Sequence, residues 1–213
     1  MAKKNFISVS RPVVTINAKE LLRELTVDSP NSRSMAMAIR GVIEPKIEQR
    51  QKELVQQFKA HPITVELNAG PRASNTSGTL GGYGNLFSFI GFSSSDDPTN
   101  VISEIFNQKI RFKVRRRNNA GLYVVTFFIP SIEEIYGLTP IPWMTGKSWV
   151  KSVEDGGLTN LGQYLFSSTG FGQSRAGTGI QVKSRSSGVT FTRTPYINKL
   201  LKEFKTKLLK LDR

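Results

Sequence analysis

The sequence of 213 residues contains no cysteine and a single histidine, His61. The lack of cysteine excludes disulfides, thiolate metal ligands and cysteine nucleophiles. One histidine cannot supply a histidine-rich metal site within one chain. We therefore expect no metal and no cofactor, in a chain long enough to bury a real apolar core.

Acidic residues are also scarce, with 16 Asp and Glu against 30 Lys and Arg, a formal net charge of +14. Such an excess attracts polyanions, so we expect a negatively charged partner. No stretch approaches the roughly 18 consecutive apolar residues that a membrane span needs. The basic N-terminus is not followed by the apolar run of a secretory signal. We expect no membrane partner.

Hydrophobic periodicity predicts an α+β fold, with a long N-terminal helix and a C-terminal helix packed on a mostly antiparallel sheet. The strongest helical pattern runs from Ser32 to Phe58, where Pro45 should kink or split the helix. Its apolar face comprises Met35, Ile39, Ile43, Ile47, Leu54 and Phe58. The last helix follows Thr194-Pro195, and its apolar stripe comprises Ile197, Leu200, Leu201, Phe204, Leu208 and Leu211.

A β-hairpin is predicted over Lys109 to Ile129, turning at Asn118-Asn119-Ala120-Gly121. The register that pairs apolar residues places Phe112 opposite Phe127 and Val114 opposite Val125. Asp97-Pro98 predicts the cap and first residue of a further helix. The remaining predicted elements are an extended arm at Phe6–Ile16, a short helix after it, and strands at Ile63–Leu67, Trp149–Glu154 and Gly188–Thr192.

We divide the chain into an N-terminal arm and short helix, residues 1–31, and one α+β domain, residues 32–213. Two Gly/Ser/Thr-rich loops lie near 68–96 and 156–188. Long loops of this kind are usually functional or disordered, and their apolar anchors are unlike a disordered linker. We expect them to extend onto a neighbouring subunit. The candidate interface residues are Leu86, Phe87, Phe89, Phe92, Tyr164, Phe166 and Phe171.

Several short motifs resemble those of enzymes but lack residues that the corresponding chemistry requires. Gly146-Lys147-Ser148 ends like a phosphate-binding loop, yet the earlier glycine that such a loop requires is replaced by Ile141 between two prolines. Glu154-Asp155 has no complementary acidic cluster and fits the end of a strand. His61 is interpreted as structural. We predict no catalytic residue and no enzyme, with Gly146-Lys147-Ser148 as a turn entering the strand at Trp149.

Five cations alternate along the first hairpin strand, so they should share one face: Lys109, Arg111, Lys113, Arg115 and Arg117. Charge on an edge strand blocks sheet-to-sheet association, which is one interpretation. Arginine also favours bidentate contact with phosphate or carboxylate. These residues are therefore candidates to face DNA or another anionic partner, and both interpretations stay open.

The C-terminal third contains three short motifs: Trp149-Val150 with Val153-Glu154-Asp155-Gly156, Gly177-Thr178-Gly179-Ile180-Gln181-Val182, and Thr194-Pro195-Tyr196-Ile197. In these motifs it resembles head–tail connector and tail-completion (neck) proteins of tailed bacteriophages. The segment from Gly84 to Phe92 is also similar to virion proteins of long-tailed phages. In element order the resemblance covers residues 32 to 211.

This resemblance implies a structural virion protein, assembled in the host cytoplasm, that forms a homo-oligomeric ring, a hexamer, at the head–tail junction. The implied partners are its own copies, neighbouring portal-adaptor or tail proteins, and passing genomic DNA in non-specific contact. A portal-side adaptor and a tail-side terminator are both compatible with it. The alternative function is a non-catalytic nucleic-acid-binding module, although the chain lacks a helix-turn-helix, zinc or RNA-sheet signature.

Overall fold

The computed structural model describes residues 13–17, 32–80, 85–116, 122–142, 144–155 and 191–210. Within these ranges the fold is mixed α+β, with helices in the N- and C-terminal regions, as predicted. The helices are α1 (Ser32–Ala60), α2 (Pro62–Asn68), α3 (Leu86–Ile90), α4 (Asn100–Gln108), α5 (Ile132–Leu138), α6 (Trp149–Asp155) and α7 (Ile197–Leu208). The strands are β1 (Val13–Asn17), β2 (Arg111–Arg116), β3 (Leu122–Phe128), β4 (Pro140–Ile141) and β5 (Met144–Ser148).

The chain divides into two compact units, each assembled from separate stretches of sequence. The first draws on the described parts of Met1–Val55, Glu104–Ser131 and Leu201–Arg213. The second draws on those of Gln56–Ser103 and Ile132–Leu200. The predicted short helix before Ser32, the turn at 118–121 and the loop at 156–188 lie outside the described residues.

A three-stranded antiparallel sheet with strand order β1-β3-β2 lies in the first unit. Phe112 is paired with Phe127 and Val114 with Val125, which confirms the predicted hairpin register. Val125 and Phe127 are buried, because alternate side chains of β3 point to the face of the sheet that carries the core. The predicted extended arm is represented by β1, which pairs with β3.

The apolar stripe of α1 is confirmed, because Met35, Ile39, Ile43, Ile47, Leu54 and Phe58 are all buried. The predicted break at Pro45 is wrong in one respect, since the helix continues through this residue as a single element. Pro45 lies on the exposed side of the helix. Its missing N–H donor therefore leaves the partner carbonyl accessible to water.

Aromatic rings build the core of the second unit. Tyr196, fully buried, lies 6.0 Å from the Phe58 ring and 6.2 Å from the Trp149 ring. Its hydroxyl is hydrogen bonded to Thr64 Oγ1 at 2.7 Å, so the buried polar atom has a partner. Phe92 contacts Trp149 edge to face at 6.0 Å.

Two predicted strands are helices. Ile63–Leu67 lies in α2, where Ile63 and Leu67 are buried but Val65 is 45% exposed. A strand would place all three on one face, whereas helical spacing turns Val65 away. The predicted strand at Trp149–Glu154 is α6, in which Trp149 and Val153 share the buried side at helical spacing.

The first glycine-rich stretch has defined structure within residues 68–80. It contains a 3-10 helix at Gly70–Arg72, and Thr79 and Leu80 are buried. The backbone N–H of Thr192 donates to the carbonyl of Thr79 at 2.8 Å. Phe191 and Thr192 themselves lie in no strand, unlike the prediction for this end of Gly188–Thr192.

Candidate functional site

The outer strand β2 of the first unit carries four cations within six residues. Its partner β3 occupies one side, and no other strand of the described residues pairs with it. Arg111, Lys113 and Arg115 are exposed, while Phe112 and Val114 alternate with them and are half-buried. Lys109, just before the strand, is exposed too, and Arg117 lies outside the described residues.

The sheet offers these cations no carboxylate. In register, Arg111 lies opposite Phe128, Lys113 opposite Thr126 and Arg115 opposite Val124. Across the three described strands there are four cations and no acidic residue. Lys113 Nζ instead lies 5.4 Å from the centre of the Phe128 ring, a cation–π contact that positions the ammonium group. The outer part of the sheet is therefore uniformly positive.

A cleft of about 300 Å³ lies between the N-terminal part of α1 and β2. Its lining residues are Arg33, Ala36, Met37, Arg40, Phe112, Lys113, Val114 and Arg115. Four of these are cations, and none of the described residues that line the cleft is acidic. The cleft thus combines an apolar floor with a cationic rim.

Arg40 is held at this cleft by two contacts. Its guanidinium carbon lies 5.4 Å from the centre of the Phe112 ring. On its other side Arg40 Nη2 donates to Glu44 Oε1 at 3.0 Å, one helical turn away. This hydrogen bond raises the pKa of Arg40 further above its ordinary value, so the side chain stays charged.

Sequence reasoning identified the strand half of this cleft and missed the helix half. Arg33, Ala36, Met37 and Arg40 follow the helical spacing of three, four and seven residues, next to the buried stripe. That spacing is visible in the sequence as a second face of the long helix. Its position beside β2, however, depends on how the helix packs on the sheet.

Gly146-Lys147-Ser148 is not the predicted turn that enters a strand at Trp149. Residues 146–148 end strand β5, with Gly146 at φ +78°, and the next residue begins α6 rather than a strand. Ser148 is buried, and its hydroxyl is hydrogen bonded to Thr139 Oγ1 at 2.8 Å. Ser148 Oγ also accepts from the N–H of Lys151 at 3.2 Å, so it caps the helix.

Glu154 joins two helices through its two oxygens. Oε2 accepts from the Tyr136 hydroxyl at 2.7 Å, and Oε1 accepts from the N–H of Asn198 in the first turn of α7, also at 2.7 Å. Burial, followed by this hydrogen bond, raises the pKa of Tyr136 well above its ordinary value. No group of three or more potential metal-ligating side chains is found in the part of the chain that the structure describes.

His61 caps α2, in line with the structural interpretation. Its Nδ1 accepts from the N–H of Ile63 at 3.3 Å, and Nε2 donates to the carbonyl of Pro195 at 3.2 Å. The ring also lies 4.7 Å from that of Tyr196. Burial lowers the pKa of His61, so the neutral form that makes these two bonds is favoured.

The candidate interface residues that the structure describes are used mainly inside the second unit. Leu86, Phe87 and Phe92 are buried, and Phe87 and Phe92 lie 5.5 Å apart, ring to ring. Phe89 is half-buried beside Phe191 at 6.0 Å. Tyr164, Phe166 and Phe171 lie outside the described residues.

None of the described helices is both long enough and apolar enough to cross a membrane. Comparisons with protein-family models, with curated proteins and with solved structures gave no match.

Proposed function

We propose that the chain is a structural virion protein of a tailed bacteriophage, forming a homo-oligomeric ring at the head–tail junction around the DNA channel. The observation that carries this proposal is the outer strand, which exposes Arg111, Lys113 and Arg115 on a sheet without a carboxylate. In a ring, one such strand from each copy makes a closed band of positive charge. That band suits a passing polyanion or an acidic neighbour.

The chemistry of the second unit supports a role without turnover. Glu154, His61 and Ser148 are the groups that an enzyme would most readily use there. Each of them is engaged in hydrogen bonds that cap or join helices. We place the chain at the head–tail junction because its C-terminal third resembles connector and neck proteins.

The first test is the mass of the purified full-length chain and the appearance of particles made without it. We expect native mass spectrometry to find a closed ring, the hexamer that the resemblance implies, because heterologous contacts form rings where the rotation between copies closes. Particles assembled without the chain should show unjoined heads and tails or heads that have lost DNA. A monomer at every concentration, with normal particles in its absence, would refute the proposal.

The second test reverses the charge of the strand by combining Arg111→Glu, Lys113→Glu and Arg115→Glu. We expect loss of joining or of genome retention while the circular dichroism spectrum and the unfolding transition stay unchanged. The matched control is Lys46→Glu with Lys52→Glu and Lys202→Glu, which changes the net charge equally at exposed helical positions. Normal particles from the strand variant would contradict the role given to β2.

A nucleic-acid-binding module is the rival function, because the same cations would serve it. It predicts salt-sensitive DNA binding by an isolated monomer, with an affinity that falls steeply as salt rises. Ring formation without such binding favours the virion role. DNA binding by a monomer that forms no ring would favour the module.

A further inference from the structure

The cleft runs along the edge of β2 rather than over one face of it. Four consecutive residues, 112–115, contribute to its lining. Side chains of consecutive strand residues point to opposite faces, so all four share only the edge of the backbone. Alternate residues of an outer strand direct their N–H and C=O groups away from the neighbouring strand. The cleft therefore presents main-chain hydrogen-bonding groups between two sets of cations.

The charge of the cleft favours an acidic occupant, and the three long segments outside the described residues do not have the acidic charge for it. Residues 1–12 contain three bases and no acid, and residues 156–190 contain Arg175, Lys183 and Arg185 and no acid. In residues 18–31 three acids are offset by two bases. Neither these segments nor the same segments of a second copy would neutralise Lys113 and Arg115.

The shape and the apolar lining favour a polypeptide over a nucleic acid. A volume of about 300 Å³ along one strand edge suits one extended chain, whereas a duplex is bound over about 1,000–2,500 Å² of protein surface. Met37 is 60% exposed beside the cleft and, with Ala36, offers an apolar surface to a side chain. An extended peptide satisfies the strand edge, the apolar surface and the cations together.

We propose that an acidic, extended segment of a partner protein adds to β2 as a further strand, with its carboxylates beside Lys113 and Arg115. The N–H and C=O groups of β2 hold the backbone of that segment. Arg115, exposed on the strand, can make a bidentate contact with one of its carboxylates. The inference rests on the proposed function, because in a ring at the head–tail junction such a segment comes from a neighbouring virion protein.

Peptide binding to the purified full-length chain tests this directly, by fluorescence anisotropy at two salt concentrations. The probe is a labelled peptide of about six residues, enough to span the cleft at about 3.3 Å per residue, with glutamate and valine alternating. We expect saturable binding that weakens with salt, because exposed charges are screened. The same peptide with lysine in place of glutamate should not bind.

Backbone methylation separates strand addition from simple charge attraction without altering the protein. Two versions of the probe carry N-methyl groups on either the odd or the even residues. Only one set of N–H groups faces β2, so one version should bind at least ~tenfold more weakly while the other keeps its affinity, as several hydrogen bonds are lost together. Equal binding by both versions would overturn the proposal.

Point variants locate the site. Arg33 lines the cleft from α1 rather than from the strand. The substitution Arg33→Glu should therefore weaken peptide binding by ~fivefold to tenfold. Lys46→Glu and Lys52→Glu, at exposed positions of the same helix and outside the lining, should each change it by less than ~twofold. An unlabelled thymidine oligomer that displaces the peptide and binds more tightly would make the cleft a nucleic-acid site and overturn the inference.

The peptide experiment and the particle experiment test different claims, so either one can fail without the other. A chain that binds no acidic peptide but forms rings in particles refutes the occupant of the cleft and leaves the proposed function standing. A chain that binds the peptide through Arg33 but never enters particles supports strand addition and refutes the virion role.

Discussion

The buried side chain of Glu66 allows a specific prediction about how the glycine-rich stretch after it is held in place. The side chain is fully buried, and its two oxygens accept from two separate backbone N–H groups. Oε1 lies 2.5 Å from the nitrogen of Leu86, at the start of α3, and Oε2 lies 2.8 Å from that of Ser77. One carboxylate therefore holds the segment between α2 and α3 at two points, at Ser77 and at the start of α3.

Glu66→Gln keeps the size of the side chain and removes one acceptor. The amide has a single oxygen, so one of the two N–H groups must face another donor. Losing a hydrogen bond to a charged group and leaving a buried donor unpaired costs about 2–3 kcal/mol. For a protein of this size each kcal/mol lowers Tm by about 2–4 °C, so we expect a drop of about 4–12 °C.

Thermal unfolding and amide hydrogen exchange measure the two parts of this prediction. Exchange should accelerate at the amides of Ser77 and Leu86 before it does so in α1. Glu48→Gln, the same change at an exposed glutamate of α1, should alter the unfolding free energy by less than about 0.5 kcal/mol. A Glu66→Gln protein that unfolds like the wild type, with both amides still protected, would refute the account of how this stretch is held.

Two further predictions concern the hydrogen bonds that join helices in the second unit. Burial holds the pKa of His61 below that of the unfolded chain, so the unfolded chain protonates first and stability should decline as pH falls below about 6.5. His61→Asn keeps an acceptor for the helix cap and should flatten that decline in urea unfolding measured from about pH 7 to 5.5; an unchanged slope would show that His61 is not its source. Tyr136→Phe removes the hydroxyl that donates to Glu154 and should cost about 1 kcal/mol, with α7 still capped by the other oxygen. A loss no larger than that of an exposed substitution would contradict this contact.

The elements predicted correctly are those with long, redundant patterns. The stripe of α1 repeats over many turns, so a single polar interruption cannot change its period. The hairpin has two strands that constrain each other, because a shift by one residue would turn every apolar side chain of β3 to the other face. This is why the pairs Phe112 with Phe127 and Val114 with Val125 follow from the amino-acid pattern alone.

Short apolar segments are assigned wrongly because their pattern is compatible with both periods. Five residues from Ile63 to Leu67 alternate as a strand does, yet positions one and five also share a helical face. The deciding information lies at the ends: His61 caps the segment, and Pro62 occupies the first turn, where its missing N–H costs nothing. For Trp149–Asp155 the cap is Ser148, a residue equally compatible with a turn.

The cleft shows why the site was only half predictable. Arg111, Lys113 and Arg115 alone are explained equally well as protection of an exposed edge, because lysine and arginine on an outer strand deter association. Protection of an edge does not require Arg33 and Arg40 on a separate helix, nor an exposed Met37 between them. It also gives no reason to seat the Arg40 and Lys113 head groups near the faces of Phe112 and Phe128. Cations positioned around an accessible strand edge and an apolar floor favour a complementary anionic chain, and that distinction becomes visible only when helix and strand are placed together.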